Sequence, residues 1–285
     1  MKTIAVTGSS GFIGSRVVLK LKELELDVIE LDILSGIDLT DWKQAQSTQR
    51  FDVLFHLAAR SFVPDSYRYP RNYYYTNIVN TINALELCRI HEAKMIFVSS
   101  YVYGIPQYLP IDEKHPISAL NPYAQSKIIG EQLCRGYNRD FGVKVIILRP
   151  FNIYGAGQSG NFLVPTIIEQ AKSGKIKLQD PNPKRDMVYI DDVIDIFSKM
   201  IDYESDYDIF NIGSGVSYSV REIADIVCDL YGGKISVEYE GQERKNEVME
   251  TIADINKVRK LLDWAPRISI QQGLSEMVIS MKCFQ

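Results

Sequence analysis

Short, uninterrupted apolar runs alternate along this chain with longer stretches of helical period. Thr3–Val6, Val28–Leu31, Val53–His56, Met95–Ser99 and Val143–Leu148 read as strands. Phe12–Leu24, Asn72–His91 and Tyr123–Phe141 read as helices. Runs such as Val145-Ile146-Ile147-Leu148 lack the period-two alternation of a half-exposed strand, so they predict strands covered on both faces. Strands of that kind alternating with helices predict an α/β fold built on a doubly wound parallel sheet. After Arg149-Pro150 the texture changes: Pro, Gly, Asn and Gln become frequent through Gly160, and Gln179–Lys184 reads as a loop. Asp208–Ile212 then reads as a core strand returning to the sheet. The expected organisation is a sheet domain over residues 1–153 plus about 189–213, and a smaller discontinuous lobe over about 154–188 plus 214–285.

Composition narrows the picture without naming a chemistry. The chain has 285 residues, 46% of them hydrophobic, which is enough for a large core and argues against disorder. Net charge is −4 and no basic tract stands out, against a nucleic-acid or anionic-membrane partner. Cys88, Cys134, Cys228 and Cys283 are far apart, so buried thiols are expected rather than a metal site or disulfide framework. No secretory leader is visible, and no apolar run approaches the ~20 residues of a membrane span. A cytoplasmic location is the expectation.

Two local patterns carry chemistry. Gly8-Ser9-Ser10-Gly11-Phe12-Ile13-Gly14 follows the first strand and opens the first helix. Glycines three apart let the backbone turn tightly and approach a pyrophosphate, whose charge a helix N-terminus favours. Asp32 ends the second strand, where a carboxylate can hold the adenosine ribose of NAD and repel the 2′-phosphate of NADP; a loop or capping aspartate is the structural alternative. Asp38 could accept from an adenine amine, while Thr40 or Asp41 could equally cap a helix before Trp42. Further on, Tyr123 and Lys127 lie four apart behind Pro122, on one face of a helix whose first turn suits proline. A nearby ammonium is expected to pull the phenol below its ordinary value of ~10, so that Tyr123 can move a proton at a sugar hydroxyl or ketone.

With these parts in order, the chain resembles the extended short-chain dehydrogenase/reductases, specifically the NAD-dependent epimerase/dehydratase family that acts on nucleotide sugars. The resemblance rests on Gly8-x-x-Gly11-x-x-Gly14, His56-Leu57-Ala58-Ala59, Val98-Ser99-Ser100, Val102-Tyr103-Gly104 and Asn121-Pro122-Tyr123-x-x-x-Lys127. It continues through Leu148-Arg149-Pro150-Phe151-Asn152-Ile153-Tyr154-Gly155, Arg185-Asp186-Met187-Val188-Tyr189 and Lys260-Leu261-Leu262-Asp263-Trp264. It implies a Rossmann-like dinucleotide-binding domain, a nucleotide-sugar-binding C-terminal lobe, and Ser99, Tyr123 and Lys127 as the catalytic set. Gly8, Ser10, Gly11, Phe12, Ile13, Gly14, Asp32, Asp38, Leu39, Leu57, Ala58, Ala59 and Pro150 would line the cofactor with Tyr123 and Lys127. NAD is expected, with NADP as the other candidate. Ser99, Ser100, Asn152, Asn161, Arg185 and Arg244 would hold a nucleoside-diphosphate sugar, the arginines through their planar forks. Arg60 is a further candidate for a phosphate.

The resemblance also bears on the reaction. A 4,6-dehydratase carries an Asp-Glu pair after its Ser or Thr, and a 3,5-epimerising reductase carries a Cys two residues on. Ser100 and Tyr101 follow Ser99 here, so both outcomes are disfavoured. Simple 4-keto reduction and 4-epimerisation remain. Five residues separate Asp32 from Asp38 and the C-terminal lobe is short, which favours the reductase; Asp32 favours the epimerase, its alternative. A dinucleotide-binding redox sensor without turnover is the reading from a different class. The family further implies a homodimer, here through a four-helix interface of Asn72–His91 and Tyr123–Phe141.

Overall fold

A computed structural model describes residues 2–241 and 247–283. The chain divides into two compact units: residues 1–104, 116–150 and 194–210 form the first, and 105–115, 151–193 and 211–285 the second. The stretch 105–115, placed with the sheet domain by the sequence, belongs to the second unit.

In the first unit β1 (Thr3–Thr7), α1 (Phe12–Glu23), β2 (Asp27–Leu31), α2 (Trp42–Ala45), β3 (Val53–His56), α3 (Val63–Arg68), α4 (Pro70–His91), β4 (Lys94–Val98), α5 (Pro122–Phe141) and β5 (Val145–Pro150) follow in order. The second holds β6 (Asn152–Tyr154), α6 (Leu163–Lys172), β7 (Lys175–Leu178) and β8 (Lys184–Tyr189), before α7 (Ile190–Asp202) and β9 (Tyr207–Ile212) return the chain to the large sheet. Then come β10 (Ser217–Ser219), α8 (Val220–Leu230), β11 (Ser236–Tyr239), α9 (Asn256–Leu262) and α10 (Ile270–Cys283).

The large sheet has the order β2-β1-β3-β4-β5-β9, with β1–β2, β1–β3, β3–β4 and β4–β5 all parallel. Ile4, Ala5, Leu54, Phe55, Ile96, Phe97, Ile146 and Ile147 are all fully buried. Apolar residues therefore point to both faces, which is why their runs showed no alternation. The order in which the chain lays down its strands reverses between β1 and β3, and a crevice forms outside the carboxyl ends of strands at such a point. Only a single 3₁₀ turn, Ile33–Ser35, and a short loop fill the connection from β2 to α2, and β2 is an edge of the large sheet among the described residues.

α5 starts where the sequence placed it. Asn121 caps it, accepting from the Ala124 N–H at 2.8 Å, and Pro122 occupies its first turn. Gly142 closes it in the left-handed conformation. Gly130 brings the helix onto the sheet: a Cβ there would sit 2.6 Å from the Phe97 ring.

Candidate active site

At the β1/β3 switch point the glycine loop packs backbone on backbone. Gly8 has φ +68, and a Cβ on it would lie 2.9 Å from Ala58 N at the end of β3. A Cβ on Gly14 would lie 2.0 Å from Gly8 O, so α1 can enter against the loop only without a side chain there. Gly11 caps α1 with no side-chain hydrogen bond, which leaves the first-turn N–H groups of Phe12, Ile13 and Gly14 to other acceptors. The buried Ser9 Oγ also has no partner. Uncapped donors, a helix N-terminus and small residues fit a pyrophosphate.

Asp32 takes the capping role that the sequence offered as its structural alternative. Its Oδ1 accepts from Leu34 N at 2.9 Å, capping the 3₁₀ turn, and its Oδ2 accepts from Ser10 N at 3.1 Å, tying the end of β2 to the glycine loop. Asp38 accepts from Thr40 N and Thr40 Oγ1, and Asp41 is the residue that caps α2. Leu39 departs from the expected cofactor contact. Its side chain is buried in the core and its carbonyl accepts from Asn83, so only its backbone could face a ligand.

Leu57, Ala58 and Ala59 follow β3, partly exposed beside the loop. The N–H groups of Leu57 and Ala58 both donate to Thr7 Oγ1, at 3.0 and 3.1 Å. Thr7 Oγ1 lies 2.8 Å from Nδ1 of the buried His56, whose Nε2 meets Thr81 Oγ1 on α4. Burial, and then the charge of Lys127, press the His56 pKa down to about 3, so the ring is neutral. Asn77 extends the network. It clasps the backbone of Arg60 through both amide atoms and donates to Ser126 Oγ at 2.9 Å, and Ser126 donates to the Tyr123 carbonyl. The Arg60 side chain is exposed.

Tyr123 and Lys127 share a face of α5 as expected, but their electrostatics differ from expectation. Lys127 is 4% exposed; its Nζ donates to Val98 O at 2.7 Å and lies 4.9 Å over the Phe97 ring. Burial lowers its pKa to about 8, opposed by Cys134 and Glu131. The Tyr123 phenol is pushed up, by burial first, against a lowering hydrogen bond from Ser100 and with Tyr73 raising it further. The ammonium is spent on a strand carbonyl, and burial, not a neighbouring cation, sets the direction of the phenol's shift. Ser99 is the second departure. It is 2% exposed, and its hydroxyl donates to Glu131 at 2.6 Å, inside the fold. Ser100 is the serine beside the phenol. Pro150 is buried at the end of β5.

In the second unit Asn152 donates to the Asp186 carbonyl at 3.1 Å, and Asn161 is exposed just before α6. Arg185 is bound to Glu247 and to the carbonyl of Lys184, so its fork is already occupied. Arg244 lies outside the described residues. Asp186, fully buried, accepts from Ser214 N and Oγ, Gly215 N and Ala253 N, which satisfies its charge and fixes the strand beside Arg185.

Sequence reasoning missed Glu131, Arg149, Asn77 and Ser126. Glu131 was within reach, since it continues the Tyr123–Lys127 stripe by one more helical turn. Arg149 and Asn77 carry no local signal; their partners come from other elements.

Comparison with known proteins agrees with this fold. A relative from Methanocaldococcus jannaschii that carries the name UDP-glucose 4-epimerase provisionally is 35% identical, over 98% of this chain and 98% of its own. GDP-6-deoxy-D-talose 4-dehydrogenase of Aggregatibacter actinomycetemcomitans is 30% identical over 96% of each. The crystal structure of UDP-glucose 4-epimerase from Thermotoga maritima, with UDP-glucose, superposes with a TM-score of 0.93 at 29% identity, covering 99% of both chains. With its residues 4–213 matched by the family model, the chain belongs to the NAD dependent epimerase/dehydratase family and is an NAD-dependent nucleotide-sugar enzyme.

Proposed function

We propose that the protein is an NAD-dependent nucleotide-sugar 4-epimerase. The observation that carries this is the half-buried Tyr123 phenol with Ser100 beside it and Lys127 one turn on, on a helix tied through Ser126 and Asn77 to Arg60, next after Ala58 and Ala59. The similarity to UDP-glucose 4-epimerases supports it over the 4-keto reductase that the short Asp32–Asp38 connection favoured.

The Gly8–Gly14 loop and the N-terminus of α1 would hold the pyrophosphate of NAD, Asp32 its adenosine ribose and Lys127 its nicotinamide ribose. NAD, when bound, supplies the carbon that takes and returns a hydride, together with a positive charge. The residues of the chain handle the proton. Tyr123 would remove it from the C4 hydroxyl and return it to that same oxygen once the 4-keto sugar has turned its other face to the hydride, and Ser100 would steady the oxygen whose charge changes. With its pKa raised, the phenol is protonated in the free chain, so acting as the base requires that it first lose that proton, which the positive charge of bound NAD would favour. Asn152, Asn161, Arg185 and Arg244 are the proposed contacts to the nucleoside diphosphate and sugar. For Arg185 this requires that Glu247 yield or share the guanidinium.

The test uses UDP-glucose and UDP-galactose as probes, with NMR following C4 inversion. Inversion without net consumption of NAD(H) is expected. Tyr123→Phe should lower kcat by at least ~100-fold, within the range for a lost general acid–base. Unchanged turnover in that variant would remove the assignment. Net oxidation of NAD(P)H with a 4-keto sugar, and no inversion, would establish the second reading, reduction at C4, which the talose 4-dehydrogenase relative favours.

A homodimer through α4 and α5 is part of the same proposal. Ile129, Leu133, Tyr137 and Phe141 form an i, i+4 stripe along α5, and Phe141 is 58% exposed. Tyr75, Ile82 and Ile90 stand exposed on α4, and the Tyr137 hydroxyl reaches Glu86 between the two helices. Such an apolar surface marks an interface. The thiols of Cys88, Cys134 and Cys228 are free, in keeping with a cytoplasmic setting. Among the described residues no helix is long and apolar enough to cross a membrane.

A further inference from the structure

A buried ion pair lies behind the proposed catalytic helix, and the chemistry above makes no use of it. Glu131 sits one turn past Lys127 on α5, and Arg149 is next to last in β5. Arg149 grips the carboxylate with Nη2 at 2.6 Å from Oε2 and Nε at 2.9 Å from Oε1. Its Nη1 donates to the Tyr103 hydroxyl at 3.1 Å, and its guanidinium lies 5.1 Å from that ring's centroid. Ser99 Oγ donates the remaining bond, at 2.6 Å from Oε1. All four residues are at most 5% exposed.

A buried ion pair of this kind is weak evidence for stability, because apolar residues of the same volume often serve as well. What the cluster does possess is connectivity. It joins the end of β4, the segment after it, α5 and β5 through charge-assisted bonds, which are short and directional. Successive side chains of an extended backbone point to opposite sides. When the Ser99 hydroxyl is held inward on Glu131, the next hydroxyl is turned the other way, toward Tyr123.

We propose that Ser99 is a positioning residue: with Glu131 and Arg149 it clamps the end of β4 so that Ser100 is presented to the Tyr123 phenol. The inference rests on the reading of Tyr123 as the acid–base group. It assigns the two neighbouring serines to separate tasks, Ser99 to the clamp and Ser100 to the reacting oxygen.

Ser99→Ala tests it, because the variant deletes one hydroxyl and leaves the ion pair intact. Converting UDP-glucose, it should lose about 10- to 100-fold in kcat, the scale of a misplacement near 1 Å, while KM stays within about twofold. Ser99→Thr, which keeps the hydroxyl, should restore kcat to within about threefold of wild type. A readout independent of turnover comes from the protein without cofactor. Amide exchange at residues 98–103 should quicken in Ser99→Ala and not elsewhere, and its crystal structure should show Ser100 moved off the phenol. Wild-type kcat and exchange in Ser99→Ala would overturn the clamp. So would equal losses in kcat, KM and thermal stability that Ser99→Thr fails to rescue, since those describe a general packing defect. Tyr123→Phe separates the two proposals: if it abolishes turnover while Ser99→Ala is silent, only the clamp fails.

Discussion

Gly14→Ala is the substitution whose effect can be worked most directly from the structure. The added Cβ would lie 2.0 Å from Gly8 O, 2.8 Å from Gly8 C and 3.0 Å from Ser9 Cα. All three are backbone atoms of a loop held by Gly8 N donating to Leu31 O and Gly11 N to Gly8 O. No flexible side chain can move aside, so the loop or α1 must shift. Overpacking of this kind destabilises by about 1–3 kcal/mol, and the rigid neighbours argue for the upper end. Alanine in a helix offsets up to ~1 kcal/mol of that through its better propensity. A net loss of about 2 kcal/mol lowers the thermal midpoint by about 4–8 °C in a chain of this size. Gly11→Ala is the matched control, since its Cβ would meet only Gly8 O, at 3.2 Å, and Gly11 has an ordinary φ of −75. Calorimetry of the two variants without cofactor is the assay, followed by measurement of NAD affinity, which Gly14→Ala should weaken. A midpoint for Gly14→Ala at or above wild type is what helix propensity alone would give. That result, or a larger drop for Gly11→Ala, would refute the packing account of the loop.

Glu131→Gln should destabilise by about 3–5 kcal/mol, because it leaves the Arg149 guanidinium buried without its counter-ion, whereas Glu131→Met with Arg149→Met should lose far less; urea melts decide between them. Lys127 titrates at about 8, so if the ammonium is required, kcat should fall as pH rises through that value. Lys127→Arg, if it turns over at all, should move that limb beyond the measurable range. His56 has its folded pKa lowered to about 3 from 6.5, so the unfolded chain binds the extra proton. Stability is then full above 6.5 and lost as pH falls from 6.5 toward 3. His56→Gln, though less stable at neutral pH, should show a flatter acid limb in thermal melts between pH 6.5 and 4. Equal slopes would show that other groups carry the acid sensitivity.

Much of this protein is written in short-range pattern. Uninterrupted apolar runs required strands covered on both faces, and glycines at 8, 11 and 14 required a tight turn from strand into helix. Tyr123 and Lys127 share a helix face because 3.6 residues make a turn, and Asn121 and Pro122 mark where that helix begins. Those features depend on neighbours within one or two turns, so the chain itself determines them. Tertiary packing decided the rest, since it sets the charge and direction of groups whose partners are distant in sequence. Burial beneath β4 gave the Lys127 ammonium to the Val98 carbonyl and raised the Tyr123 phenol, so a spacing that suggested an activated tyrosine did not deliver one in the free chain. Glu131, 32 residues from Ser99, took its hydroxyl and left Ser100 at the phenol. Asn77 joined Arg60 to α5 across 49 residues. No periodicity encodes such pairings, because they exist only once separate elements are brought within about 3 Å of one another.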